Sequence, residues 1–215
     1  MVPYMATLDL NLIREIDRLW EPVYPYLAQH IQELYGRQEG DVLEIGPFCG
    51  VLFSLLREKI GSSFCIATFP QGMSDFFREE SRHQNVEDKI KIIESDPSLT
   101  GIEENRIDLI LFRGAFFFPS LFQVNLPAIY RVLKKNGKAF IGGGFGKFTP
   151  EQIIRDIGKR SRELNLRIGK VEVTEDQLRQ DIEKSHMKGK AEIISDGGLW
   201  VLMKKESVPD RPDER

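Results

Sequence analysis

Residues 42–50 read Val-Leu-Glu-Ile-Gly-Pro-Phe-Cys-Gly. One carboxylate, Glu44, stands near the end of an apolar run, and Gly46 and Gly50 follow it. A second apolar run, Val51 to Leu56, opens without a polar break. That order is a strand, a tight turn and a helix start. In an open α/β sheet, the carboxyl end of such a strand is where a nucleotide-like ligand docks. Glycines admit a ligand close to the backbone because no Cβ intervenes, and the first helical turn offers free N–H groups. An ordinary strand-to-helix turn has the same outline, so the loop alone leaves both readings open. Spacing excludes a dinucleotide loop. From Gly46, the pattern Gly-x-Gly-x-x-Gly needs glycine where Phe48 and Val51 stand.

The other reactive side chains form no second site. His30, His83 and His186 are scattered, and none joins a metal or catalytic-triad spacing. Cys49 and Cys65 suggest neither a disulfide framework nor a zinc site. No metal is expected.

The elements that must position the loop can be read from periodicity. Leu8, Leu12, Ile16 and Leu19 repeat at helical spacing, Pro22 and Pro25 break that helix, and Leu27, Ile31 and Leu34 make a second face that stops at Gly36. Strands are expected over 41–45, 64–69, 90–93, 107–112 and 138–141, with helices between them. This alternation predicts a doubly wound parallel sheet. Thr149-Pro150-Glu151-Gln152 and Thr174-Glu175-Asp176-Gln177 read as capping boxes. Ala191 to Ile194 and Leu199 to Met203 flank Ser-Asp-Gly-Gly, the pattern of a hairpin. The glycine run from Gly142 to Gly146, after the fifth strand, allows close backbone approach, a mobile lid or a plain connector.

The chain has 215 residues, 41% hydrophobic and 29% charged, with a net charge of −3. Its length fits one domain. The charge gives no global attraction to nucleic acid or anionic membranes. No apolar stretch approaches a membrane span, and the cysteine usage points to a reducing, cytoplasmic setting.

The order of elements from about 40 to 205, with the terminal hairpin adding an antiparallel strand, resembles the class I S-adenosylmethionine-dependent methyltransferases. Four segments sharpen the likeness. They are the loop at Glu44, Gly46 and Gly50, with Phe48 in place of a middle glycine; Ser95-Asp96 after the third strand; Asn105 to Gly114; and Ile129-Tyr130-Arg131-Val132-Leu133-Lys134-Lys135-Asn136-Gly137-Lys138 before the fifth strand. The resemblance implies a Rossmann-like sheet of seven strands, mostly parallel, with a C-terminal antiparallel hairpin strand. It also implies methyl transfer from S-adenosylmethionine, with S-adenosylhomocysteine as product.

On that resemblance the cofactor would meet Glu44, Gly46, Pro47, Phe48, Gly50, Thr68, Phe69, Asp96, Pro97, Arg113 and Gly114. Glu44 would reach the amino end of the cofactor, or cap the next helix. Thr68 stands where the family usually has a ribose-gripping acid, and offers one hydrogen bond instead. Asp96 would face the adenine amino group, or serve as a turn aspartate. Arg113 would meet the cofactor carboxylate, or form a surface ion pair. Trp20, Tyr24, Phe116, Gly143 and Phe145 would line the substrate pocket, with plain packing as the other role for the aromatics. Arg155, Lys159 and Arg162 share a helix face, which would favour an anionic substrate if it overhangs the pocket. No Asp/Asn-Pro-Pro-aromatic motif follows the fourth strand and no Pro-Cys nucleophile is present, which argues against adenine, glutamine and cytosine C5 methylation.

The expected layout is an N-terminal helical segment at 1–38, a methyltransferase domain at 39–205 with a helical cap at 147–188, and a polar tail at 206–215. The expected partner is a small-molecule acceptor, with no nucleic acid and no membrane, in a monomer or homodimer. A protein that binds the cofactor without catalysis, or a methyltransferase-like interaction subunit, is the alternative.

Overall fold

The computed structural model describes residues 9–69 and 72–206. Leu8 of the first helical stripe and the expected tail beyond residue 206 lie outside them. A seven-stranded sheet runs in the order β3-β2-β1-β4-β5-β7-β6. These strands are β1 (Asp41–Ile45), β2 (Ser63–Thr68), β3 (Ile90–Glu94), β4 (Ile107–Arg113), β5 (Leu133–Gly143), β6 (Ala191–Ile194) and β7 (Leu199–Lys204). β1 to β5 are mutually parallel, and β7 lies antiparallel between β5 and β6. The expected mostly parallel sheet with a C-terminal hairpin is therefore the fold. Every residue of β4 is buried, as a central strand covered on both faces requires.

Helices α3 (Gly50–Arg57), α4 (Met73–His83) and α5 (Leu126–Val132) follow β1, β2 and β4. α1 (Leu10–Trp20) and α2 (Tyr24–Tyr35) precede the sheet. α1 buries Leu12, Ile13, Ile16 and Trp20, and α2 buries Leu27, Ala28 and Ile31. Pro25 stands in the first turn of α2, where its missing N–H costs nothing, and Gly36 closes that helix at φ 72°. α6 (Glu151–Ile168) and α7 (Glu175–Lys184) fill the segment before the hairpin, and α1 packs against α6.

At the amino ends of the strands, Lys134 of β5 bridges Asp41 of β1 at 2.6 Å and Asp108 of β4 at 2.7 Å. This ties the bottom of the sheet and leaves its upper, carboxyl edge for a ligand.

Two local expectations are corrected. The box at Thr174 forms, but the one at Thr149 does not. The Thr149 hydroxyl donates to the Phe145 carbonyl at 2.5 Å, and α6 starts without a side-chain cap. Gly142 and Gly143 belong to β5 rather than following it, because β7 extends the ladder to Gly142↔Trp200 and Gly143↔Leu199. A Cβ on Gly142 would sit 2.3 Å from the Leu199 carbonyl oxygen, and one on Gly144 2.3 Å from the Gly198 Cα. The hairpin's backbone presses on these glycines, which explains the run without a mobile lid.

Candidate functional site

The carboxyl ends of β1 and β4 are neighbours, with Glu44 in register with Leu111. The loop after β1 turns at Gly46, whose φ of 92° suits glycine and whose N–H donates to the Ala67 carbonyl at 3.0 Å. Pro47, Phe48 and Gly50 are buried with it. The Tyr24 ring occupies the space beside Gly50, 2.2 Å from where a Cβ would stand.

Glu44 is fully buried. Its Oε2 accepts from the Leu52 N–H of α3 at 2.8 Å, whereas its buried Oε1 has no partner among the described residues. Burial pushes the carboxyl up to about 8, against the pull of Arg113 and the Leu52 amide, so it is mostly protonated at neutral pH. The helix-capping role is thus present, and it uses only one of the two oxygens.

Arg113 ends β4 and is itself buried. Its guanidinium lies 4.7 Å from the Tyr24 ring centroid and 5.2 Å from that of Trp20. Its hydrogen bond to the Phe48 carbonyl is long, 3.5 Å. Burial works against the charge, but Tyr24, Asp17 and Glu44 outweigh it and raise the Arg113 pKa. Arg113 is a buried cation among aromatic rings, not a surface ion pair. Asp17 accepts from the Tyr24 hydroxyl at 2.6 Å, and burial lifts its carboxyl to about 6. The sequence reading missed Asp17. Its signal was an acid on the same stripe of α1 as Ile13, Ile16 and Trp20.

A cavity of about 460 Å³ opens above Arg113 and Gly114, between α1, α6 and the ends of β4 and β5. Trp20, Phe145 and Gly143 line it. The Trp20 and Phe145 rings stack at 4.7 Å, and the Trp20 Nε1–H donates to the Ser161 hydroxyl of α6 at 2.9 Å. Phe117 lines the cavity, while Phe116 faces a separate open groove beside α7. Tyr24 faces a third hollow, between α1, α3 and α4. The aromatic run at 116–118 therefore contributes Phe117 and Phe118 to the cavity and not Phe116, the one singled out, because the turn after Gly114 sets which rings point inward.

The other end of the carboxyl edge is apolar. Phe48, Phe69, Phe112, Phe118 and Phe122 are all buried. Their rings join in a continuous cluster, with centroids 5.1 Å apart for Phe48–Phe118, 5.2 Å for Phe112–Phe122 and 5.8 Å for Phe69–Phe112. The cluster covers the ends of β1, β2 and β4. Phe118 and Phe122 come from the segment after β4, which hydrophobic periodicity did not connect to this loop. The Thr68 hydroxyl is buried against Ser74 Oγ at 2.9 Å and the Ile93 carbonyl at 3.2 Å. Asp96 accepts from the Ser98 N–H and the Thr100 hydroxyl, each at 2.6 Å, as a turn aspartate does. These bonds hold its carboxyl below the usual value. Pro97, half-buried, continues that turn.

A family profile described as "Methyltransferase domain" matches residues 43–141. A crystal structure from Methanococcus maripaludis, assigned as an S-adenosyl-L-methionine-dependent methyltransferase, is 26% identical, with a TM-score of 0.74 over 98% of this chain and 100% of that one. The structure of PigF with SAH shares the fold at 17% identity, with a TM-score of 0.59 over 91% of this chain and 58% of that one. A highly reducing polyketide synthase of Penicillium polonicum is 29% identical over 102 residues, which span 45% of this chain and 4% of that protein. Sheet order, glycine loop and these likenesses agree: residues 43–141 match the methyltransferase-domain family, and the chain has the fold of the class I S-adenosylmethionine-dependent methyltransferases.

Proposed function

We propose that this chain transfers a methyl group from S-adenosylmethionine to a small-molecule acceptor in the cavity between α1 and α6. The observation that carries the reading is the buried Glu44 Oε1 without a partner, on the same sheet edge as the weakly bonded Arg113. A zwitterionic amino-acid head supplies the two missing counterparts, an ammonium for Glu44 and a carboxylate for Arg113. The residues present fit that end of the cofactor. The nucleoside end fits only once Phe118 and Phe122 swing away, since Thr68 is turned inward and five rings fill the crevice.

When bound, the cofactor supplies an electrophilic methyl on a sulfonium sulfur. This chain's residues then have three tasks. Glu44 and Arg113 fix the head, Gly114 lets it approach the backbone, and Trp20, Phe145 and α6 exclude water and align the acceptor. In-line displacement depends chiefly on that alignment, so no side chain is assigned as acid or base.

Calorimetry with S-adenosylhomocysteine and S-adenosylmethionine tests the reading, and saturable binding is expected. The phenylalanine cluster favours a second reading, a methyltransferase-fold protein that engages a partner without catalysis. Absence of binding to either compound decides for it.

A further inference from the structure

The cavity above Arg113 carries an uneven charge. Its ionisable lining consists of Arg113, Arg162, Lys170 and Glu172, three cations against one acid. Arg113 is occupied by the Tyr24 and Trp20 rings at the floor. Arg162 lies on α6, and Lys170 just beyond its end at Gly169. Among the described residues, neither takes part in an ion pair, although five other basic residues from 147 to 188, at 147, 155, 160, 179 and 188, do. The Lys170 Nζ stands 5.3 Å from the Phe117 ring centroid, so the cation is held at the apolar wall. The segment is docked there by the Val171 N–H, which donates to the Phe117 carbonyl at 2.8 Å. The Trp20 and Phe145 rings, stacked on each other, line the same cavity and give it a flat apolar surface. Leu166, 56% exposed, lies at the same cavity. An exposed leucine and two cations in no ion pair make the lining of this cavity amphipathic.

We infer that the acceptor is a small aromatic carboxylic acid, its carboxylate met by Arg162 and Lys170 and its ring laid against Trp20, Phe117 and Phe145. This deepens the methyltransferase reading and rests on it for the word acceptor, but not for the binding. A space of about 460 Å³ suits such a molecule. Flat rings favour an aromatic body through offset stacking, and two cations that form no ion pair among the described residues favour an anion.

The test is calorimetry on the full chain without cofactor, using 4-hydroxybenzoate, indole-3-acetate, and the methyl ester of each. The acids should bind at least tenfold more tightly than their esters. Arg162→Gln and Lys170→Gln should each weaken the acids about three- to tenfold, with the esters unmoved. A parallel titration with S-adenosylhomocysteine separates the two sources of a carboxylate. If these cations serve the cofactor instead, the variants weaken S-adenosylhomocysteine and leave the acids alone, and the inference falls. It also falls if esters match acids or if neither acid binds. Because the acids are titrated without cofactor, failure of this inference and failure to bind S-adenosylhomocysteine are independent results.

Discussion

The Arg113 guanidinium lies over the Tyr24 ring at 4.7 Å, and that ring fills the space a side chain at Gly50 would need. The second loop glycine is thus explained by an N-terminal helix, not only by a ligand. Gly50→Ala should cost about 2 kcal/mol through overpacking against the ring. In a Tyr24→Ala background the same change should cost almost nothing. Urea denaturation of the four proteins in this cycle measures the coupling, and additive costs would show that the ring can move aside.

Glu44 gives a pH signature. Its folded pKa is raised from 4.5 to about 8, so its contribution to stability is fully present below 4.5 and is lost as pH rises through about 8. Glu44→Gln keeps an oxygen for the Leu52 amide and removes the charge. The variant should melt at a higher temperature than the native chain at pH 9, with a flatter profile between pH 5 and 9. If the carboxylate also meets an ammonium, native affinity for S-adenosylhomocysteine should rise with pH through the same window, and the variant should lose that rise.

The Lys134 bridge acts at the opposite edge and with the opposite sign. Burial works against the charges of Asp41 and Asp108, but the Lys134 ammonium, with Ser63 and Arg106 at Asp41 and the Asp41 amide and Arg37 at Asp108, outweighs it and holds both below the usual carboxylate value. Their stabilisation is present above about pH 4 and is lost as pH falls. Lys134→Met should cost about 1–3 kcal/mol at pH 7, discounted because water reaches the pair. The native advantage should shrink toward pH 2 in acid-denaturation curves. A constant difference between the two proteins would mean that Lys134 acts through packing.

Phe122 contacts Phe48, Phe69, Phe112 and Phe118 in the ring cluster. Phe122→Ala should destabilise the fold by about 3–5 kcal/mol. It should also tighten S-adenosylhomocysteine binding, because the nucleoside end no longer has to displace that ring. Stopped-flow fluorescence of Trp20 and Trp200 can follow the association rate. An unchanged rate, with affinity unchanged or weaker, would place the nucleoside away from this cluster.

The backbone plan was legible in the sequence because strands β1 to β5 carry their own signal: short apolar runs between turn residues, joined by the same parallel pairing. The hairpin at 191–203 was legible for the same reason. Glu44, Gly46 and Gly50 were legible as a cluster because they are adjacent in the chain. What only the tertiary structure decided is who meets whom across it. Phe122 reaches Phe48, Trp20 reaches Ser161, and the hairpin turn reaches Gly144, over separations that no local pattern records. Side-chain direction was equally out of reach, since Phe116 and Phe117 have the same propensity and face different hollows. The ionisation of Glu44 depends on how completely its neighbours exclude water, a property of the packed core and not of the residue.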